Sequence, residues 1–168
     1  SYFFTEAPNA PGIVYAEIGR KAKVYRVMNG SQAFALKAFK PRYRSPNTVD
    51  NSERIARYQN VPGLSVAKRL VITPDKFPDL IQEHEAFAYS ILMPWVDGKS
   101  WFYYVTGRVP LKPEESLRLA RALVSAVCEL EKRDLAHCDL SSSNFIFSPD
   151  FSHVELIDIE DMFGYGLL

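Results

Sequence analysis

At 168 residues the chain fits one ordinary domain or an incomplete larger one, and 47% hydrophobic against 24% charged residues is a globular composition able to bury a core. Its 20 acidic and 20 basic side chains cancel, so neither nucleic acid nor a membrane is expected as a partner, and any phosphate must be held by a local site. No apolar run approaches the roughly 18–20 residues of a membrane span, and no secretory leader is visible. Cys128 and Cys138 form neither a disulfide framework nor a zinc pattern, so a reducing, cytoplasmic setting is the default.

Residues 1–11 carry Pro and Asn and read as an irregular lead-in. Strand-like runs follow over 12–18, 22–28 and 32–39, the last two separated by Asn29-Gly30, a dipeptide that tolerates the positive φ of a tight hairpin. The basic, proline-punctuated segment 40–46 is a loop, and a short helix is expected over 48–59, with Asp50 and Glu53 spaced like a capping box. Further strands are expected at 66–71 and 87–93, split by a loop at 73–80 that holds Pro74, Asp75 and Pro78. After Pro94 comes an aromatic stretch with a turn at Asp97-Gly98. Pro113 then opens the clearest helix, over 113–132. Its Leu117, Ala120, Val124, Val127 and Leu130 recur along one expected core face. Glu114 and Glu115 in its first turn and Lys132 and Arg133 in its last suit the helix dipole. A loop over 137–144 leads to strands at 144–148 and 154–159.

That loop is the chemically informative stretch. It reads His137-Cys138-Asp139-Leu140-Ser141-Ser142-Ser143-Asn144, and Asp158 follows at the end of the apolar strand. An Asp and an Asn five apart, then a second Asp fourteen residues on, supply what phosphoryl transfer from ATP needs: one carboxylate to orient an acceptor hydroxyl and take its proton, and an amide oxygen and a second carboxylate to hold Mg2+ on the phosphates.

These residues resemble the protein-kinase-like superfamily over about 12–164, in particular its divergent bacterial Ser/Thr kinase-like members. The resemblance implies an α+β, two-lobe fold: an N-lobe over 1–93 with a five-stranded antiparallel sheet and one helix, a hinge at 94–98, and a partial, helical C-lobe over 99–168. Phe34-Ala35-Leu36-Lys37 is similar to the strand motif whose Lys pairs with nucleotide phosphates, and Glu53 to the carboxylate that holds that Lys. By the same likeness Asp139 is the acceptor-orienting base, Asn144 and Asp158 are Mg2+ ligands, and His137 braces the loop. Met93 stands at the gate of the adenine pocket. The backbone near Trp95 and Val96 reads the base, and Val24, Ala35 and Phe147 wall it.

The chain departs from the family pattern in four places. Glu17-Ile18-Gly19-Arg20-Lys21-Ala22 keeps only the central glycine, Gly19, of the phosphate loop; Arg20 and Lys21 either compensate with charge or are solvated turn residues. Cys138 replaces the Arg that reads an activation-segment phosphate, so activity is expected not to need that phosphorylation. Ser141 replaces a Lys near the γ-phosphate, and Glu160 the Gly of the D-F-G motif. The implied function is an ATP- and Mg2+-dependent phosphotransferase, with a nucleotide-binding pseudokinase and a small-molecule kinase of choline- or aminoglycoside-like type as alternatives. The acceptor is a protein or a small molecule. The acceptor platform of such a fold is expected beyond Leu168 or on a partner.

Overall fold

The computed structural model describes residues 2–167. The chain is a mixed α+β structure with an antiparallel sheet and few helices, and it divides into two compact units: residues 1–53 with 68–95, and residues 54–67 with 96–168.

The first unit starts with strands where an irregular lead-in was expected. β1 (Tyr2–Phe4) is followed by a small hairpin, β2 (Glu6–Ala7) and β3 (Ala10–Val14), then by β4 (Ala16–Ile18). Both β1 and β4 pair with the same edge of β5 (Ala22–Asn29), Phe4 opposite Val27 and Ala16 opposite Tyr25. One outer strand is thus split by a hairpin that loops out and returns. The Tyr15 amide donates to the Thr5 carbonyl at 2.8 Å and closes the excursion. The sheet therefore has six strands rather than five. β5 turns into β6 (Gln32–Phe39) through Gly30-Ser31, with Asn29 still paired to Gln32. Gly30, at φ 60°, takes the positive φ that a two-residue turn demands of its first residue.

Helix α1 (Asn47–Ala56) begins in this unit. Its start is held by the Ser45 hydroxyl, which accepts from the Asn47 amide at 3.2 Å, while Asp50 already lies within the helix rather than at a cap. β7 (Leu70–Ile72) comes next, then α2 (Pro78–Glu83) in part of the expected loop, and β8 (Ser90–Pro94) pairs with both β7 and β6. Pro78 misled the sequence reading because proline suits a first helical turn as well as a loop. Strand alternation sends Tyr25, Val27, Phe34, Leu36 and Leu92 to one face, where Phe77, Leu80, Ile81 and Phe87 pack over them. Burying Leu36 there contributes about 1.5–3 kcal/mol. By register the other face carries Val24, Arg26, Ala35, Lys37, Ile91 and Met93.

In the second unit β9 (Lys99–Ser100) leads into α3 (Trp101–Thr106), capped by the Ser100 hydroxyl. Helix α4 (Pro113–Glu131) begins with proline, and Glu115 accepts the Lys112 amide at 2.8 Å. β10 (Leu135–Ala136), β11 (Phe145–Phe147), β12 (Val154–Leu156) and β13 (Phe163–Gly164) complete the unit. β11 pairs with β12 and β9, and β10 with β13. Gly98, at φ 138°, is required: a Cβ there would run into the Phe147 carbonyl.

The buried face of α4 is not the expected one. Leu119, Ala122, Ala126 and Leu130 are buried, whereas Leu117, Ala120, Val124 and Val127 are exposed. The helix has two apolar stripes, and the one with small residues admits backbone closely: a Cβ on Gly63 would stand 3.2 Å from the Ala126 Cβ and the Val154 carbonyl. No described helix is long and apolar enough to cross a membrane.

Candidate functional site

The loop between β10 and β11 is built on His137, which is only 2% exposed. Its Nδ1 accepts the Asp139 amide at 3.3 Å, which leaves Nε2 to donate to the Ile157 carbonyl at 3.0 Å. A single imidazole therefore folds the loop back on itself and ties it to the residue before Asp158. Cys138, between the two bonded residues, is forced to φ 64°, a left-handed conformation that costs a non-glycine residue about 1–2 kcal/mol.

Asn144 is buried and makes the second set of ties. Its Nδ2 donates to the Asp139 carbonyl and to Asp139 Oδ2, both at 3.0 Å, and its backbone carbonyl accepts the Ile157 amide at 2.8 Å. With the nitrogen committed to Asp139, the amide is oriented, and its Oδ1 faces away as an acceptor that takes the Ser143 hydroxyl at 3.2 Å. Asp158 itself sits at φ 60°, ψ 45°, immediately past the bonds to Ile157. Strained backbone of this kind persists only where neighbours over-determine it. Here the neighbours are His137 and Asn144. The structure thus brings together Asp139 and Asn144 directly, and fastens both to the strand end that carries Asp158.

The oxygens offered here are hard donors: the Asn144 Oδ1 beside the Asp139 carboxylate, with Asp158 on the strand end to which the loop is tied. That set fits Mg2+, which takes one or two protein carboxylates and completes its shell with phosphate and water. It does not suit a metal caged wholly by protein, and among the described residues no group of three His, Cys, Asp or Glu side chains is placed to hold one. Two anchors of the loop escaped the sequence reading. The Ser142 carbonyl accepts the Phe102 amide at 2.7 Å, and Ser143 bonds Asn144. Serine-rich loops look merely solvated in sequence, so nothing signalled these roles.

The remaining candidates in this unit are Phe147 and Val96. Phe147 is fully buried beside Phe145 and Trp101, with ring centroids 5.7 and 6.3 Å away, and Val96 is half-buried.

In the first unit Lys37 is only 7% exposed, opposite Val24 and Ile91, with its Nζ 5.7 Å from the Phe39 ring. Ala35 pairs with Met93 on the same sheet face, so Val24, Ala35, Lys37 and Met93 do share one surface. Glu53 is exposed on α1. The Trp95 amide is donated to the Ala33 carbonyl at 3.2 Å, so its N–H continues the sheet rather than facing a ligand. The Gly19 amide donates to the Ala22 carbonyl at 2.9 Å across a turn of only Arg20 and Lys21.

No family model matches the chain. Over 132 residues, 73% of its length, it is 29% identical to the probable serine/threonine-protein kinase HAL5-like of Eremothecium gossypii. Over 58 residues, 34% of its length, it is 31% identical to the serine/threonine-protein kinase PrkC of Bacillus subtilis. The chain spans 19% of the first relative and 9% of the second. It is therefore similar, over part of its length, to serine/threonine protein kinases.

Proposed function

We propose that this chain carries the nucleotide-binding and phosphoryl-transfer residues of a protein-kinase-like, two-lobe fold, and that it acts as an atypical ATP- and Mg2+-dependent Ser/Thr kinase. On this reading residues 1–93 are the N-lobe, 94–98 the hinge and 99–168 the start of the C-lobe. The observation that carries it is the Asp139–Asn144 couple, whose amide nitrogen is spent on the carboxylate so that its oxygen is presented as a ligand. The partial likeness to two serine/threonine kinases supports it independently.

Each residue then has a defined task. Asp139 aligns the acceptor hydroxyl and takes its proton as the new P–O bond forms to the γ-phosphorus and the bond from that phosphorus to the β,γ-bridging oxygen breaks, releasing ADP. Asn144 keeps that carboxylate from rotating and lends its Oδ1 to the cation. Asp158, fixed by its backbone, supplies the anionic ligand. When bound, Mg2+ neutralises charge on the phosphate oxygens. Lys37, held by Glu53, is assigned to the α- and β-phosphates, with the base against Val24, Ala35, Met93 and Phe147 and its edge read by backbone near Trp95 and Val96. Free Cys128 and Cys138 suit a reducing, cytoplasmic location. The acceptor is a protein hydroxyl or, with Ser141 in place of a cation, a small alcohol.

Radiolabelled phosphate transfer from ATP, measured for the intact full-length protein, tests this. Asp139→Asn should lower the rate about a thousandfold. An undiminished rate would rule out Asp139 as the base. The tight Gly19–Ala22 turn favours a second reading, a pseudokinase that binds nucleotide without transfer. Saturable ATP binding with no transfer above the Asp139→Asn background would select it.

A further inference from the structure

The face of the sheet that carries Val24, Ala35, Lys37 and Met93 has a feature that none of their roles uses. Arg26 lies on that face, paired across the strand with Ala35, which in turn pairs with Met93. Its guanidinium carbon is 5.5 Å from the centre of the Trp95 ring, and its Nε is buried with no hydrogen-bond partner. Stacking on the indole is what offsets the burial of that donor. Tyr15 packs against the same indole, its ring T-shaped to Trp95 with centroids 5.8 Å apart, and donates its hydroxyl to Glu17 at 2.6 Å. Burial, then the Glu17 carboxylate, pushes the Tyr15 phenol up to about 12, so it stays a donor across the working pH range.

The split outer strand is what delivers these groups. The Arg26 carbonyl accepts both the Thr5 amide, at 3.0 Å, and the Thr5 hydroxyl, at 3.2 Å, while the Thr5 carbonyl accepts the Tyr15 amide. Arg26 is thereby fixed at the point where the hairpin leaves and rejoins the sheet, and Tyr15 is set down beside it. Trp95 has little freedom left: its amide is bonded to Ala33, its face is covered by Arg26 and its ring packs T-shaped against Tyr15.

We infer that Arg26 is a positioning residue for the purine: by clamping the Trp95 indole, with the Tyr15 ring packed against the same indole, it fixes the backbone that follows β8 and reads the base edge. The inference rests on the nucleotide reading above. Arg26 touches Trp95 and not the reacting atoms, so it acts on nucleotide affinity and leaves the phosphoryl-transfer step at saturation unaltered.

The test uses the full-length protein carrying Trp101→Phe, which leaves Trp95 as the reporter within this segment, with ATP and Mg2+ titrated by calorimetry and by Trp95 fluorescence. Arg26→Met should weaken ATP binding about three- to tenfold and make Trp95 more accessible to acrylamide. Arg26→Lys, which keeps a cation over the ring, should recover part of the loss, and the rate at saturating ATP should stay within about twofold. Equal ATP affinity in Arg26→Met and the parent overturns the clamp while leaving the nucleotide site standing. No ATP binding by the parent overturns both. Should Arg26→Met not fold, the parent alone decides: ATP must alter the Trp95 emission and lower its quenching, and an indifferent Trp95 refutes the clamp.

Discussion

Asp158 occupies a backbone conformation, φ 60° and ψ 45°, that Asp and Asn tolerate far better than branched residues. This separates charge from geometry at the proposed cation site. Asp158→Asn keeps the left-handed turn, so its melting temperature should lie closer to the parent than that of Asp158→Val while phosphate transfer disappears. Asp158→Val should lose transfer and also about 1–2 kcal/mol of stability, read from urea unfolding. Equal stability of the two variants would mean that His137 and Asn144 do not impose the conformation. At this scale the sequence was informative about identity and silent about support. The Asp139–Asn144 pairing was readable from their five-residue spacing, and the two side chains are joined. The Ser142–Phe102 bond and the Arg26–Trp95 stack were not, because each joins residues from elements whose register had first to be known.

Among the elements, strand alternation and the proline-initiated α4 were legible, whereas the face of α4 was not. Large residues dominate a periodicity reading, so the Leu117–Val124–Val127 stripe outweighed the smaller one that includes Ala122 and Ala126. Leu119 is 9% exposed and Val124 61%. Leu119→Ser should therefore cost about 2–4 kcal/mol, and Val124→Ser at most about 0.5 kcal/mol, in chemical denaturation. A reversed order would restore the face first expected. The β11–β12 turn allows a pH test. Hydrogen bonds from the Ser148 hydroxyl and then from Ser152 hold the Asp150 carboxyl at about 2, below its ordinary 3.8. A lowered folded pKa means that the contribution is complete above pH 4 and fades as pH falls towards 2. Asp150→Ala should thus lie below the parent in stability at neutral pH and converge with it near pH 2. A constant gap across that interval would show that the carboxylate's ionisation is not what matters.

At the scale of the whole chain, the proposed function assigns Lys37, Asn144 and Asp158 to one ligand. That assignment was read from motif order, the Lys strand, the Asp–Asn loop and the final Asp appearing in succession. The split outer strand was hidden because Pro8, Asn9 and Pro11 read as an irregular lead-in when they in fact lie in a hairpin that returns to the same sheet edge. The shared ligand can be tested by linkage. ATP with Mg2+ at about a hundred times its dissociation constant adds about 2.7 kcal/mol, a rise of roughly 5–10 °C in melting temperature for a chain of this size. Lys37→Met and Asp158→Asn should each abolish most of that rise. If only one of them does, the two residues do not share the nucleotide and transfer through Asp139 loses its basis. If ATP without Mg2+ produces the full rise, Asn144 and Asp158 are not cation ligands, and the oxygen set assembled around Asp139 must serve some other purpose.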